Sequence, residues 1–364
     1  MSSGDLAAAI EAALAGSASP DRALVGITRF LQRLPADSPA VRALLARPRF
    51  AQGLATLFAG SPFLGEILLQ HPEDAEALLK PDGAAGRRRP SQHLHAALAA
   101  VAPLTEPAAQ LDALRRLQRI EYLRIGYADL LGLWDLAAVT GQLSALAEGL
   151  IRAVLSVCAR SEGVSAHGFA VLAMGKLGGG ELNYSSDVDL VFVAEHTDDA
   201  RIRLAQAVVD GLARSTVEGH LYRVDLRLRP WGRTGPLVAG VEGYIEYLRS
   251  NARPWERQAL LRARAVAGDQ ALGEGFLWAA RPLLFGAAQD AVRRQVAAAK
   301  RHIDDGLRAR GRDWGEVKSG SGSIRDVEFL VQYLQLAHGA TRPEILAPNT
   351  PEALRRLRTA GLLP

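Results

Sequence analysis

The stretch GFAVLAMGKLGGGELNYSSDVDLVFVA, residues 168–194, determines the kind of fold that this chain can form. The apolar run from Phe169 to Met174 is typical of a buried β-strand, and a second apolar run extends from Val188 to Val193. The segment between the two runs is rich in glycine, which permits tight turns after a strand. The stretch therefore predicts two strands on either side of a glycine-rich turn large enough to hold a phosphate group.

Two carboxylates open the second predicted strand. Asp187 and Asp189 are two positions apart, and because side chains alternate between the faces of a strand, both point to the same side, roughly 7 Å apart along the backbone. Charged carboxylates at the start of an apolar strand are costly to bury unless they are paired or bind a metal ion. The pair indicates an acidic metal site, and turn or strand-edge positions are the structural alternative.

A third carboxylate, Asp225, lies on a third predicted strand, residues 222–230. Alternation along that strand places three arginines on the same face as Asp225, namely Arg223, Arg227 and Arg229. Mg²⁺ prefers carboxylate and phosphate oxygens, and two such ions about 3.5–4 Å apart can activate an attacking oxygen and neutralise a leaving group. The three aspartates therefore suit two-metal chemistry, although a salt bridge from Asp225 to Arg227 would also explain the third one.

Seven short motifs follow one another along the chain: GKLGGGELN (175–183), SDVDL (186–190), VDLRLRP (224–230), GPL (235–237), WER (255–257), AR (263–264) and IRDVEF (324–329). This ordered series resembles the motifs of the glutamine synthetase adenylyltransferase family. The resemblance runs from about residue 60 to about residue 340. It implies the nucleotidyltransferase fold, whose general signature is a glycine pair, then Asp-x-Asp, then a later aspartate.

The resemblance assigns roles to the residues of these motifs. It implies that the aspartates are both catalytic residues and ligands of two Mg²⁺ ions, namely Asp187, Asp189 and Asp225. The implied contacts to the nucleotide phosphates are Gly175, Lys176, Gly178, Gly179, Ser186, Arg227 and Arg229. The structural alternatives are a tight strand-to-helix turn with a surface lysine, helix capping by the serine, and arginine forks to Glu256 or Glu328.

The resemblance also implies a function, which is Mg²⁺-dependent nucleotidyl transfer on a tyrosine of glutamine synthetase in the regulation of nitrogen assimilation. The family carries out two opposed reactions on separate units: attachment of AMP from ATP, and phosphorolytic removal of AMP, which yields ADP. Residues 181–189 are closer to the amino-terminal, AMP-removing unit, so deadenylylation is favoured. The alternatives are the ATP-dependent adenylylating unit, or a regulatory module without turnover that docks glutamine synthetase or the PII signalling protein.

Composition favours a cytoplasmic protein with more than one domain. The 364 residues, 48% hydrophobic and 23% charged, can bury more than one core. Cys158 is the only cysteine, which excludes an intrachain disulfide and a cysteine-based zinc site. No uninterrupted apolar segment reaches about 18 residues, so neither a membrane span nor export is expected. A nucleic-acid partner is not expected either, because basic and aromatic residues are not interleaved.

The periodicity of apolar residues predicts an α+β fold that is mostly helical, in which helical regions flank a small mixed sheet of nucleotidyltransferase type. Three regions are expected: a helical region at 1–165, the catalytic domain at 166–270, and a helical region at 271–364 that resembles part of a longer bundle. Residues 80–91, which include an arginine run, are expected to form an exposed loop. The predicted helices are 6–14, 23–34, 39–45, 50–58, 64–69, 73–79, 94–101, 108–131, 136–158, 201–216, 241–248, 254–266, 290–307, 324–336 and 351–363.

Overall fold

The computed structural model describes residues 3–79, 86–285, 289–312 and 316–364. The chain forms two compact units, one made of Met1–Leu150 with Val217–Gly219, the other of Ile151–Thr216 with His220–Pro364. Helices predominate, and the strands form one small mixed sheet. The predicted α+β, mostly helical fold is therefore confirmed, while the domain boundaries at residues 165 and 270 stay a prediction.

The first unit is built from helices. They are α1 (Ser3–Leu14), α2 (Pro20–Leu31), α3 (Pro39–Ala46), α4 (Pro48–Gly60), α5 (Pro62–Gln70), α6 (Glu76–Leu79), α7 (Pro90–Val101), α8 (Pro107–Leu130) and α9 (Leu136–Glu162), the last of which continues into the second unit. Serine caps open two of them, since Ser38 accepts the Val41 N–H and Ser61 accepts the Leu64 N–H. The helices predicted for this part of the chain are confirmed, with ends that differ by a few residues.

Helix α9 is apolar because most of it is buried. Among the described helices it is the one with the length and mean hydropathy to cross a membrane, and 78% of its most apolar window is buried inside the protein. Leu150, Ile151 and Val154 are fully inaccessible to solvent. Its apolar surface therefore has packing partners within the chain, as expected for a core helix.

A buried polar network fixes the start of α7. The side chain of Glu121 is 1% exposed and accepts Arg124 Nη2 at 2.9 Å, while Arg88 Nη2 lies 3.1 Å from its other oxygen. His93 Nε2 lies 3.3 Å from Gln142 Oε1, and burial lowers the pKa of this imidazole. A histidine held in this way is kept neutral in the core.

The arginine run before α7 is only partly solvated. Arg87 and Arg89 are exposed, as predicted, but Arg88 pairs with buried Glu121, so the expectation of an exposed loop is wrong at this position. The buried carboxylate needs a cationic partner, and Arg88 supplies one. The earlier part of the predicted loop, residues 80–85, lies outside the described residues.

The second unit contains the sheet. Its strands are β1 (Phe169–Ala173), β2 (Val188–Ala194), β3 (Val224–Asp225), β4 (Val238–Gly240) and β5 (Arg264–Gly268). The order is β3-β2-β1-β5, and β4 also pairs with β2. Strand β1 is antiparallel to β2 and β5, whereas β3 and β4 are parallel to β2. The two strands predicted from the apolar runs are confirmed, and they form the centre of the sheet.

Two of the predicted elements, one strand and one helix, need correction. The third strand does not extend over residues 222–230 but ends at Asp225, where the carboxylate accepts the Arg227 N–H at 2.9 Å and turns the chain. The helix predicted at 254–266 ends at Leu260, and the residues after it form β5, whose backbone groups pair with β1. Strand β4 was not predicted.

Helices cover the sheet and complete the second unit. They are α10 (Gly175–Gly178), α11 (Asp199–Ala213), α12 (Val241–Ser250), α13 (Pro254–Leu260), α14 (Gln270–Leu284), α15 (Gln289–Arg308), α16 (Ile324–His338) and α17 (Thr350–Thr359). Leu172 and Val191 from the sheet pack with Phe276 of α14 in the main core of this unit. Helix α14 was not predicted, whereas the other predicted helices after the sheet are present, apart from the shortened 254–266.

Candidate active site

A cavity of about 700 Å³ opens where β2 begins. Asp189 and Asp225 are register partners on the parallel strands β2 and β3, and Asp187 immediately precedes β2. All three carboxylates line the cavity. The structure thus brings together the three aspartates that the sequence singled out.

Asp189 is the aspartate most tightly enclosed by the fold. Its backbone carbonyl accepts the Met174 N–H at 2.8 Å, which holds it against the end of β1. Burial raises the pKa of its carboxyl to about 6, and the nearby charges of Asp225 and Asp187 add to this rise. Gly175 makes room for it: φ is +55° there, and a Cβ would lie 2.3 Å from Asp189 Oδ2. Glycine is the residue that suits this position in both conformation and size.

The other two aspartates are paired with arginines. Asp187 Oδ1 lies 2.6 Å from Arg223 Nε, and Asp225 Oδ2 lies 2.8 Å from Arg227 Nε. The hydrogen bond from Arg227 is the main reason that the pKa of Asp225 is lowered. The salt-bridge alternative for Asp225 is therefore present in the structure.

The donor set of the cavity suits Mg²⁺, although its present arrangement is not a closed metal site. Within the described part of the chain, no group of three or more His, Cys, Asp or Glu side chains is placed to hold a metal ion. Both arginine partners are 64% exposed in their side chains and can swing away from Asp187 and Asp225. A divalent cation would offset both the burial that mainly raises the pKa of Asp189 and the repulsion from Asp225 and Asp187 that adds to the rise.

Part of the glycine-rich turn faces the cavity. Gly175, Lys176 and Ser186 line it. Burial lowers the pKa of Lys176, with the charge of Lys318 as the next cause. These residues of the predicted phosphate-binding set are thus placed beside the aspartates.

Gly178 and Gly179 lie outside the lining and are used for packing. Their N–H groups donate to the carbonyls of Met174 at 2.9 Å and Gly175 at 3.0 Å. A Cβ on Gly178 would lie 1.9 Å from the Arg262 carbonyl oxygen, so the two backbones approach closely here. The structure does not bring these two glycines to the aspartates.

The two arginines proposed for phosphate binding are placed differently. Arg227 lines the cavity, but Arg229 does not. The Arg229 guanidinium donates to the backbone carbonyls of Leu226, Arg233 and Gly235 at 2.9, 3.1 and 3.2 Å. Arg229 thus holds the loop after β3 together, because the chain turns after Asp225 instead of continuing as a strand.

Several residues of the cavity were not singled out from the sequence. Arg262, whose side chain is 7% exposed, bridges Glu181 and Glu328 at 2.7 Å each. Two further cations line the cavity: Lys318 lies just before α16, and Arg325 is on it. Arg325 belongs to the IRDVEF motif, which could have directed attention to it, whereas Lys318 lies in none of the quoted motifs. Glu328, which the sequence offered as a partner for the arginines after β3, pairs with Arg262 instead.

Comparison with known proteins gives matches along most of the chain. A model of the family described as glutamate-ammonia ligase adenylyltransferase matches residues 51–279, and one described as GlnD PII-uridylyltransferase matches residues 293–364. Among curated relatives, the bifunctional glutamine synthetase adenylyltransferase/adenylyl-removing enzyme of Streptomyces avermitilis is 36% identical over 96% of this chain and 35% of its own length. Those of Mycobacterium leprae and Chromobacterium violaceum are 34% and 36% identical, over 95% and 89% of this chain. The chain spans 35–37% of the length of these three relatives.

Three aspartates beside a glycine-rich turn on a small mixed sheet are typical of a nucleotidyltransferase. The chain belongs to the glutamate-ammonia ligase adenylyltransferase family. The resemblance inferred from the short motifs is therefore confirmed.

Proposed function

We propose that this chain is the nucleotidyltransferase unit that removes AMP from a tyrosine of glutamine synthetase by phosphorolysis. The observation that carries the proposal is the cavity in which Asp187, Asp189 and Asp225 lie together with several cationic side chains. The relatives are described as bifunctional adenylyltransferase/adenylyl-removing enzymes, which supports a reaction on adenylylated glutamine synthetase. The likeness of residues 181–189 to the AMP-removing unit favours this direction.

The proposed reaction is an in-line displacement at the phosphorus of the tyrosine-bound AMP. An oxygen of inorganic phosphate forms a bond to this phosphorus, the bond to the tyrosine oxygen breaks, and the tyrosine oxygen takes up a proton; the products are ADP and unmodified glutamine synthetase. Mg²⁺ would neutralise charge on the phosphate oxygens when bound. The phosphorus needs no covalent bond to the protein, so the chain contributes mainly orientation and charge.

The residues of the chain divide this work. Asp187, Asp189 and Asp225 are the proposed Mg²⁺ ligands. Gly175 and Lys176 line the cavity on the side of the glycine-rich turn, and Ser186 lines it just before the start of β2. Arg227, which is paired with Asp225 in the structure, would bind two phosphate oxygens in bidentate fashion if Asp225 held the cation instead.

We also propose a cytoplasmic location and a second partner. The free thiol of Cys158 is buried, and this accords with a reducing compartment. The second partner is the PII signalling protein. The match of residues 293–364 to the PII-uridylyltransferase model favours it.

The test incubates the chain with adenylylated and with unmodified glutamine synthetase in separate mixtures. With adenylylated glutamine synthetase, Mg²⁺ and phosphate, we expect ADP to form; the Asp189→Asn variant should yield none. With unmodified glutamine synthetase and ATP, we expect no pyrophosphate. Pyrophosphate release with labelling of glutamine synthetase would instead assign the chain to the adenylylating reaction, and no reaction in either mixture would refute turnover by this chain.

A further inference from the structure

Two cationic side chains that line the cavity come from the segment around the start of α16. Lys318 lies in the turn before α16, and Arg325 is the second residue of that helix; both line the cavity that holds the aspartates. Their backbones are joined, because the Arg325 N–H donates to the Lys318 carbonyl at 3.2 Å. The Ser323 hydroxyl donates to the same carbonyl at 3.1 Å. The two cations therefore belong to one hydrogen-bonded corner of the cavity wall.

Lys300 of α15 holds the turn that carries Lys318 in place. The Lys300 ammonium is 2.7 Å from Asp304 Oδ1 and 2.8 Å from Asp326 Oδ1. It also donates to the carbonyls of Ser319 at 3.2 Å and Gly320 at 3.3 Å. Because the Lys300 ammonium contacts both carboxylates and both carbonyls, it fixes the backbone next to Lys318 against α15 and α16.

The side chains of Lys318 and Arg325 remain able to pair with a bound anion. In the described residues neither side chain forms an ion pair with a carboxylate, whereas Arg223 and Arg227 in the same cavity do. The charge of Lys318 reaches Lys176, whose pKa is lowered mainly by burial and next by Lys318. Like charges that face one cavity repel each other until an anion binds between them.

We infer that Lys318 and Arg325 bind the phosphate group that does not contain the reacting phosphorus. This inference rests on the proposed function and specifies its phosphate pocket: in AMP removal the group is inorganic phosphate, which becomes the terminal phosphate of ADP. The three carboxylates would hold the cation beside the reacting phosphorus, so the second phosphate needs separate positive charge. Lys318 and Arg325 supply it from the segment matched by the second family model, beyond residue 279.

The test compares two nucleotides that differ by this phosphate. Binding of ADP and of AMP to the full chain is measured by calorimetry with Mg²⁺ present, for the wild type, Lys318→Met and Arg325→Met. We expect each substitution to weaken ADP binding by about tenfold or more, because a charge-assisted hydrogen bond is lost. AMP binding should change by less than about twofold, since AMP lacks the second phosphate.

Two further variants control the comparison. Lys318→Arg keeps the charge and should retain ADP affinity within a few-fold, even if Lys318→Met is poorly folded. Arg301→Met removes an exposed cation on α15 that does not line the cavity and should leave both affinities unchanged.

The outcomes separate the inference from the proposed function. ADP affinity in both methionine variants that stays within about twofold of wild type would overturn the inference, and so would an equal loss of AMP and ADP affinity in folded variants. If the wild type itself binds neither nucleotide, the nucleotide site of the proposed function is wrong. A parallel rise in the KM for inorganic phosphate, with kcat nearly unchanged, would support the inference by assigning the effect to the free phosphate.

Discussion

Alanine in place of Gly175 tests how closely the glycine-rich turn is fitted to Asp189. The added Cβ would lie 2.3 Å from Asp189 Oδ2 and 3.2 Å from its Cγ. Comfortable contacts between such atoms are about 3.5 Å, so the carboxylate or the turn must move by roughly 1 Å. A shift of this size at a catalytic group can cost about 100-fold in rate. The positive φ of +55° adds a backbone cost of about 1–2 kcal/mol in stability.

Gly180 provides a matched control in the same turn. Its φ is +68°, but a Cβ there would meet nothing within 4 Å. Gly180→Ala should therefore lose a similar 1–2 kcal/mol, about the cost of the left-handed backbone, and keep turnover within a few-fold. Turnover of adenylylated glutamine synthetase and urea unfolding are measured for both variants. If Gly175→Ala keeps turnover within about threefold of Gly180→Ala, the position of Asp189 does not control the reaction as argued here.

Three other predictions concern the buried ion pairs, the neutral histidine and the cation. Arg262→Met should lower the free energy of unfolding in urea by about 3–5 kcal/mol, because Glu181 and Glu328 lose their shared partner; a loss below about 1 kcal/mol would contradict the network. Burial lowers the pKa of His93 below its ordinary value of 6.5, so the unfolded chain takes up the proton first, and stability should fall as the pH is lowered through about 6.5. That fall should be smaller in His93→Gln but not in exposed His95→Gln, and equal slopes would refute it. Nucleotide should bind only with Mg²⁺ or Mn²⁺ present, since three carboxylates repel a polyphosphate; equal affinity in excess chelator, measured by calorimetry, would count against their contact with phosphate.

The sequence predicted the centre of the sheet because its signal is local. The runs that form β1 and β2 are continuous and apolar, as buried strands require, and the alternation of Asp187 and Asp189 follows from strand geometry. Strand β5 was missed because Arg264–Gly268 follows α13 with no strong breaker and is short and alanine-rich. Only its pairing with β1, which is distant in sequence, makes it a strand.

Strand register brings the predicted aspartates together, whereas turns move other residues of the predicted site away from them. Asp225 and Asp189 lie side by side because β2 and β3 are parallel neighbours in which these two residues are register partners. Arg229 does not share a face with Asp225, because the Asp225 carboxylate accepts the Arg227 N–H and the backbone turns at that point. Lys318 could not be placed in the cavity from sequence, since its position depends on tertiary contacts of Lys300 with a distant turn.

The most direct test of nucleotidyl transfer at the three aspartates is turnover by Asp189→Asn, measured alongside its melting midpoint. We expect AMP removal from glutamine synthetase to be abolished, while the midpoint stays unchanged or rises because a buried carboxylate beside two others is neutralised. Asp210→Asn, which removes an exposed carboxylate paired with Arg214, should keep wild-type turnover. Near-wild-type turnover by Asp189→Asn would contradict the assignment of this cavity as the active site.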